Sequence, residues 1–238
     1  MAVPFQLPGM EMNEFKTMMR VLPTLLGILL VAGCNTQPPA PEIGAEESFD
    51  GLRRITNSQA DAAWVRPGVD LTAYRKLRLE GAGIEFRPVK RTGSSQREFA
   101  MSETQKTRLR ETVVEVFREE LVASTRFSLV EEAGPDVLTV WGGLYDVVSF
   151  VPPEQAGRRD VFLNQVGAAT LVIELRDSET GATLVRALDR RAASRAGGQL
   201  NFSSSASNWS EVRRVARRWA VLLRTRLDSI DTWATEAF

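Results

Sequence analysis

Residues 169–190 read ATLVIELRDSETGATLVRALDR, and this stretch decides the fold class. Leu171, Ile173 and Leu175 fall on every second residue, which places them on one face of a strand. Asp177 is a turn former because its carboxylate can bond the backbone that follows it. Gly181 suits a positive φ that a side chain would oppose. Ala182–Arg190 then returns as the partner strand, so the stretch predicts an antiparallel hairpin.

Working outward, residues 137–151 form a second β-rich run, interrupted by Gly142-Gly143. Paired glycines inside a strand predict a bulge or a close backbone approach. Phe127–Glu131 reads as a short strand ending at Gly134-Pro135, and Leu71–Phe86 as a strand region introduced by the turn Arg66-Pro67-Gly68. Two helices complete the pattern. Ser102 with Gln105 has capping-box spacing, and Leu109, Val113, Val116, Phe117 and Leu121 follow as one apolar stripe. Near the C-terminus Asn208 with Glu211 has the same spacing, Ser203–Ser207 reads as the loop before it, and Val212, Val215, Trp219 and Leu227 lead the second stripe towards Ile230. This order predicts an α+β fold: a single mixed or largely antiparallel sheet covered by two main helices.

The N-terminus carries a different signal. Residues 21–32, VLPTLLGILLVA, hold no charge and follow Lys16 and Arg20. A bilayer span needs ~20 apolar residues, so the run is too short to cross and fits the centre of a secretory signal peptide. Val31-Ala32-Gly33-Cys34 is similar to the lipobox of bacterial lipoproteins. That resemblance implies a diacylglycerol on the Cys34 thiol, cleavage before Cys34, and an acyl chain such as palmitate on the new amino terminus. Asn35 follows where an Asp would favour retention at the inner membrane, so the resemblance points to the outer membrane, facing the periplasm. Glu11 and Glu14 are out of place in a basic signal n-region, and a start at Met18 or Met19 would give a compact signal. The expected organisation is a signal peptide over residues 1–33, a Pro-rich tether over 34–48 and one α+β domain over 49–238.

Composition excludes several function classes. The chain has no histidine, one cysteine, and 30 basic against 30 acidic residues. Without histidine there is no Ser-His-Asp system and no imidazole metal site, and one cysteine allows neither an intrachain disulfide nor a cysteine zinc cluster. Zero net charge argues against nucleic acid as a partner. Gly81-Ala-Gly83 lacks the rest of a dinucleotide fingerprint, no P-loop or G-x-S-x-G is present, and no cofactor or metal is implied. Asp146, Glu174, Asp177 and Glu179 are the carboxylates that a glycosidase without histidine could use. Arg213, Arg217 and Arg224 belong to an arginine-rich face on the last helix. That face either meets an anionic lipid, glycan or acidic partner, or is solvated and shields the apolar stripe. Trp219 reads as core; Trp209 reads as first-turn packing, with an aromatic ligand platform as the other reading. Residues 152–160 read as an exposed loop that names no ligand.

Four stretches together resemble an uncharacterised family of Gram-negative lipoproteins, domain-of-unknown-function family 3313. They are residues 64–77, residues 134–138, residues 167–181, and Trp209-x-x-Val212 with Trp219-Ala220 and Arg226-Leu227-Asp228. The resemblance runs from about residue 48 to residue 232. It implies lipoprotein status and a single domain and transfers no catalytic residue. The expectation is an outer-membrane-anchored lipoprotein with a periplasm-facing binding or envelope-assembly module, and no enzymatic activity. Its partners would be the membrane, through the anchor, and an envelope protein or glycan. A histidine-independent envelope hydrolase working through carboxylates or serine, and a structural tether between membrane and cell wall, are the alternatives.

Overall fold

A computed structural model describes residues 41–89, 98–153, 161–194 and 200–231. Its strands in chain order are β1 (Ile43–Glu47), β2 (Arg53–Ile55), β3 (Ala62–Val65), β4 (Lys76–Phe86), β5 (Ser128–Leu129), β6 (Val137–Ser149), β7 (Phe162–Leu163), β8 (Gln165–Asp177), β9 (Thr183–Ser194) and β10 (Asn201–Phe202). The two helices are α1 (Glu103–Val122) and α2 (Ser205–Asp228). Eight strands form one mixed sheet in the order β1-β2-β3-β9-β8-β6-β4-β5, and β7 pairs with β10 separately. The fold is α+β.

The hairpin is present, with Leu171 opposite Asp189, Ile173 opposite Ala187, and Gly181 at φ +72° in the turn. Strand β4 runs parallel to β5 and β6, because α1 lies between them in the chain and carries it back over the sheet. The remaining pairs of the large sheet are antiparallel. Leu77, Leu138, Ile173, Val116, Leu121 and Trp219 meet in one buried core, so α1 and α2 cover the same face of the sheet. Burying a side chain of this size contributes roughly 1.5–3 kcal/mol, which is why these stripes rather than local propensity hold the helices in place.

Local chemistry explains both agreement and difference. Ser102 Oγ accepts from Gln105 N–H at 3.2 Å and the Gln105 amide oxygen accepts from Ser102 N–H at 2.8 Å, completing the expected box. In α2 the cap is Ser204 with Ser207, not Asn208 with Glu211. The serine run supplies a hydroxyl acceptor one turn earlier, and a helix starts where its first orphan N–H groups find one. Asn208 lies buried inside the first turn, its Nδ2 donating to Ser203 Oγ at 2.9 Å.

Other boundaries differ too. Leu71–Ala73 is a single 3-10 turn capped by Asp70, and the strand begins at Lys76. β6 continues through Gly142-Gly143; the extra residue is Ala82 on β4, opposite the glycine pair. A Cβ on Gly143 would stand 3.0 Å from the Ala82 Cβ, so the expected close approach is present. The folded part also starts before Phe49. Ile43–Glu47, placed in the spacer by composition, is the edge strand β1, and its mostly exposed residues show no buried alternation that could have marked it. Cys34, Val31, Ala32 and Gly33 lie outside the described residues, as does most of the 152–160 loop. No described helix is long and apolar enough to cross a membrane.

Candidate functional site

A cavity of about 310 Å³ lies between α1, α2 and the sheet. From α1, Gln105, Leu109 and Val113 face it at four-residue spacing. From α2, Trp209, Val212, Ala216 and Trp219 form the opposite wall. The floor explains why there is space at all: Gly167, Ala168, Ala169 and Ala193 carry little or no side chain where neighbouring positions of β6 and β8 carry valine and leucine. Gly167 is required there for a second reason, since a Cβ on it would stand 2.5 Å from the Val148 carbonyl oxygen.

The wall is mostly apolar, and several of its polar groups are already engaged. Gln105 is committed to its capping box and Asn208 to Ser203. Trp209 packs partly buried, with the Arg108 guanidinium 4.6 Å from its ring centroid. At the rim Phe202 meets Phe162 edge-to-face at 6.3 Å, and both rings are more than half exposed. Arg191 reaches the cavity from β9, with Nε bound to the carboxylate of Asp189. Trp219 is core, as its place in the stripe indicates.

The four candidate carboxylates are not gathered around this cavity. Asp146 sits at the bulge of β6 with φ +54° and accepts from Arg87 and Arg190. The bond from Arg87 holds its pKa below the ordinary carboxylate value. Glu174 is buried on the other face of the sheet, which raises its pKa, but hydrogen bonds from Arg186 at 2.7 Å and Arg176 at 2.7 Å outweigh burial and hold it low. Asp177 is likewise held low: burial opposes, and bonds from Thr180 and the Tyr74 hydroxyl prevail. Tyr74 is pushed up to about 12 by burial and by that same bond. Glu179 is exposed in the turn. A glycosidase acid needs a raised pKa beside an ionised partner, and Asp146, Glu174 and Asp177 are shifted the other way.

The arginine face of α2 lies against a row of glutamates on α1. Arg213 reaches Glu115 at 2.7 Å, Arg217 reaches Glu119 and Glu120 at 3.1 Å each, and Arg224 reaches Glu120 at 3.6 Å and Asp228 at 3.8 Å. The charge of these three arginines is matched within the chain. Among the described residues no cluster of His, Cys, Asp or Glu is arranged to hold a metal ion. The cavity was not legible in the sequence; its signal is the small-residue step Gly167-Ala168-Ala169 inside a strong strand, which marks space only once the helices above it are placed.

The model of a family described as a protein of unknown function, DUF3313, matches residues 43–223. No curated protein matches the sequence. Among solved structures, protein XCC0632 from Xanthomonas campestris is similar at 11% identity and a TM-score of 0.38, covering 83% of this chain and 98% of that one. A neuraminyllactose-binding hemagglutinin homolog from Helicobacter pylori is similar at 8% identity and a TM-score of 0.38, covering 69% and 92%. A PelC dodecamer from Paraburkholderia phytofirmans is similar at 10% identity and a TM-score of 0.33, covering 67% and 96%.

Proposed function

The chain belongs to the DUF3313 family of proteins of unknown function, and from that premise we propose an envelope lipoprotein whose folded domain binds an apolar ligand between α1, α2 and the sheet. In this reading a lipid on Cys34 holds the protein in the outer membrane, facing the periplasm. The charge-free run before Val31-Ala32-Gly33-Cys34 supports the anchor. Each buried acyl methylene stabilises attachment by ~0.8 kcal/mol, and two chains already anchor stably.

The observation that carries the binding reading is the cavity. Its volume of about 310 Å³ is at the lower end of small-molecule sites, roughly 300–1,000 Å³, and its lining is mostly apolar with few polar groups, as such sites are. The arginine-bound carboxylates favour binding over hydrolysis. Titration of the full chain with the neutral fluorophore N-phenyl-1-naphthylamine tests it. Saturable binding that Val212→Trp abolishes without loss of folding is the expected result. Absence of saturable binding, or equal binding by the variant, would overturn it. The anchor is tested separately by labelling with a palmitate analogue; incorporation that disappears in Cys34→Ser is expected, and equal labelling refutes the anchor.

A further inference from the structure

The cavity does not end at its apolar wall. Arg191 also lines an open cleft on the outer side of α2, shared with Gln59, Ser210, Arg214 and Arg218. One guanidinium therefore stands at the junction of an apolar chamber and a cationic surface. Its guanidinium is ion-paired with Asp189 through Nε, and its two terminal nitrogens make no hydrogen bond among the described residues. Asp189 in turn divides its charge among Arg191, the Trp219 indole and the Asp61 N–H. Arg214 is occupied by Glu211 and the Ser194 carbonyl. Arg218 is exposed and has no ion pair among the described residues. The portal thus offers the two terminal nitrogens of an arginine held through its Nε, with the unpaired cation of Arg218 in the same cleft.

We propose that the ligand is a single-chain amphiphile with an anionic head, its acyl chain in the cavity and its carboxylate or phosphate at Arg191, facing Arg218. This rests on the cavity-binding reading above and adds the head group to it. An apolar wall selects for chain and is indifferent to charge. A guanidinium whose two terminal nitrogens make no hydrogen bond among the described residues selects for a planar pair of anionic oxygens, and does so best where water is partly excluded. Carboxylate and phosphate share that chemistry.

The test is calorimetric titration of the full chain with decanol, decanoate and decyl phosphate, each below its micelle-forming concentration. Decanoate and decyl phosphate should bind at least about tenfold tighter than decanol, the tighter of the two naming the head, and Arg191→Met should bring the ratio near one. Arg191→Met also leaves Asp189 without its arginine, so Arg218→Glu is the second variant. It sits at an exposed position with no ion pair and should weaken both anions several-fold while leaving decanol unchanged. Equal affinity for all three ligands overturns the head-group inference and leaves the apolar-cavity reading standing. Failure of all three to bind defeats that reading and this inference together. An anion preference unchanged in both variants overturns the assignment to this portal.

Discussion

The indole Nε1 of Trp219 donates a 2.8 Å hydrogen bond to Oδ2 of Asp189, and both residues are buried. One bond thus ties the middle of α2 to β9 and fixes the wall of the cavity at the same time. Trp219→Phe keeps most of the apolar bulk and removes the donor, leaving a buried acceptor short of a partner. The expected loss is about 1–3 kcal/mol, read as a lower urea midpoint at unchanged slope. An unchanged midpoint would mean the bond contributes nothing net.

Acid stability should pass through Asp50. Arg186 donates to it at 3.1 and 2.6 Å and also reaches Glu174, joining the β1–β2 turn to the hairpin. The bond from Arg186 lowers the Asp50 pKa from 3.8 to about 2, with burial opposing. Because the folded value is the lower one, this stabilisation is complete above about pH 4 and is lost as pH falls towards about 2. In urea titrations across that window, Asp50→Asn should flatten part of the decline seen in the wild type. An identical decline in both proteins would remove Asp50 from the account.

Two glycines on the central strands should respond oppositely to alanine. At Gly167 the new Cβ meets the Val148 carbonyl at 2.5 Å, so backbone must move, and the expected loss is roughly 1–3 kcal/mol. At Gly142 the nearest atom is 3.8 Å away, on Ile173, and φ is not positive. Gly142→Ala should therefore be neutral or stabilising by about 0.4–1 kcal/mol through the unfolded chain. Thermal melts of the pair check the sign; a more stable Gly167→Ala would contradict the close approach.

Of the ion pairs between α1 and α2, Arg217–Glu119 is largely exposed, the Arg217 side chain at 51% and Glu119 at 45%, whereas Glu120 is mostly buried. Exposed pairs contribute ~0.2–1 kcal/mol and are screened by salt. Arg217→Gln should lower the melting temperature slightly in dilute buffer and have a smaller effect at about 1 M salt. A salt-independent loss would point to packing of the arginine stem instead.

What could be read from the chain was local. The hairpin was legible because alternation and a glycine turn lie within a few residues of each other, and α1 because Ser102, Gln105 and the stripe after them agree. Strands β1–β3 were not, since strands of three to five residues with mixed burial are defined by their neighbours. The start of α2 was misplaced because any of several consecutive serines could cap it. The partners of Arg213 and Arg217 were present as Glu115 and Glu119, a helical turn apart, but nothing in one helix says which face of another it meets. The cavity was least legible of all, being defined by side chains that are missing.

Strand order also sets a timetable. β3 pairs with β9, Val65 opposite Val185, so the earliest part of the domain to be made waits for nearly the last. Chain made in between can collapse on its own hairpin and helix, but the β1–β3 meander has no partner edge until β9 has formed. Such distant pairing is slow because loop-closure entropy must be met before any contact rewards it. Until then β3 offers bare N–H and C=O groups to any neighbouring chain. Closure of the N-terminal edge therefore has to wait for β9, and there crowding and delay would show as misassembly.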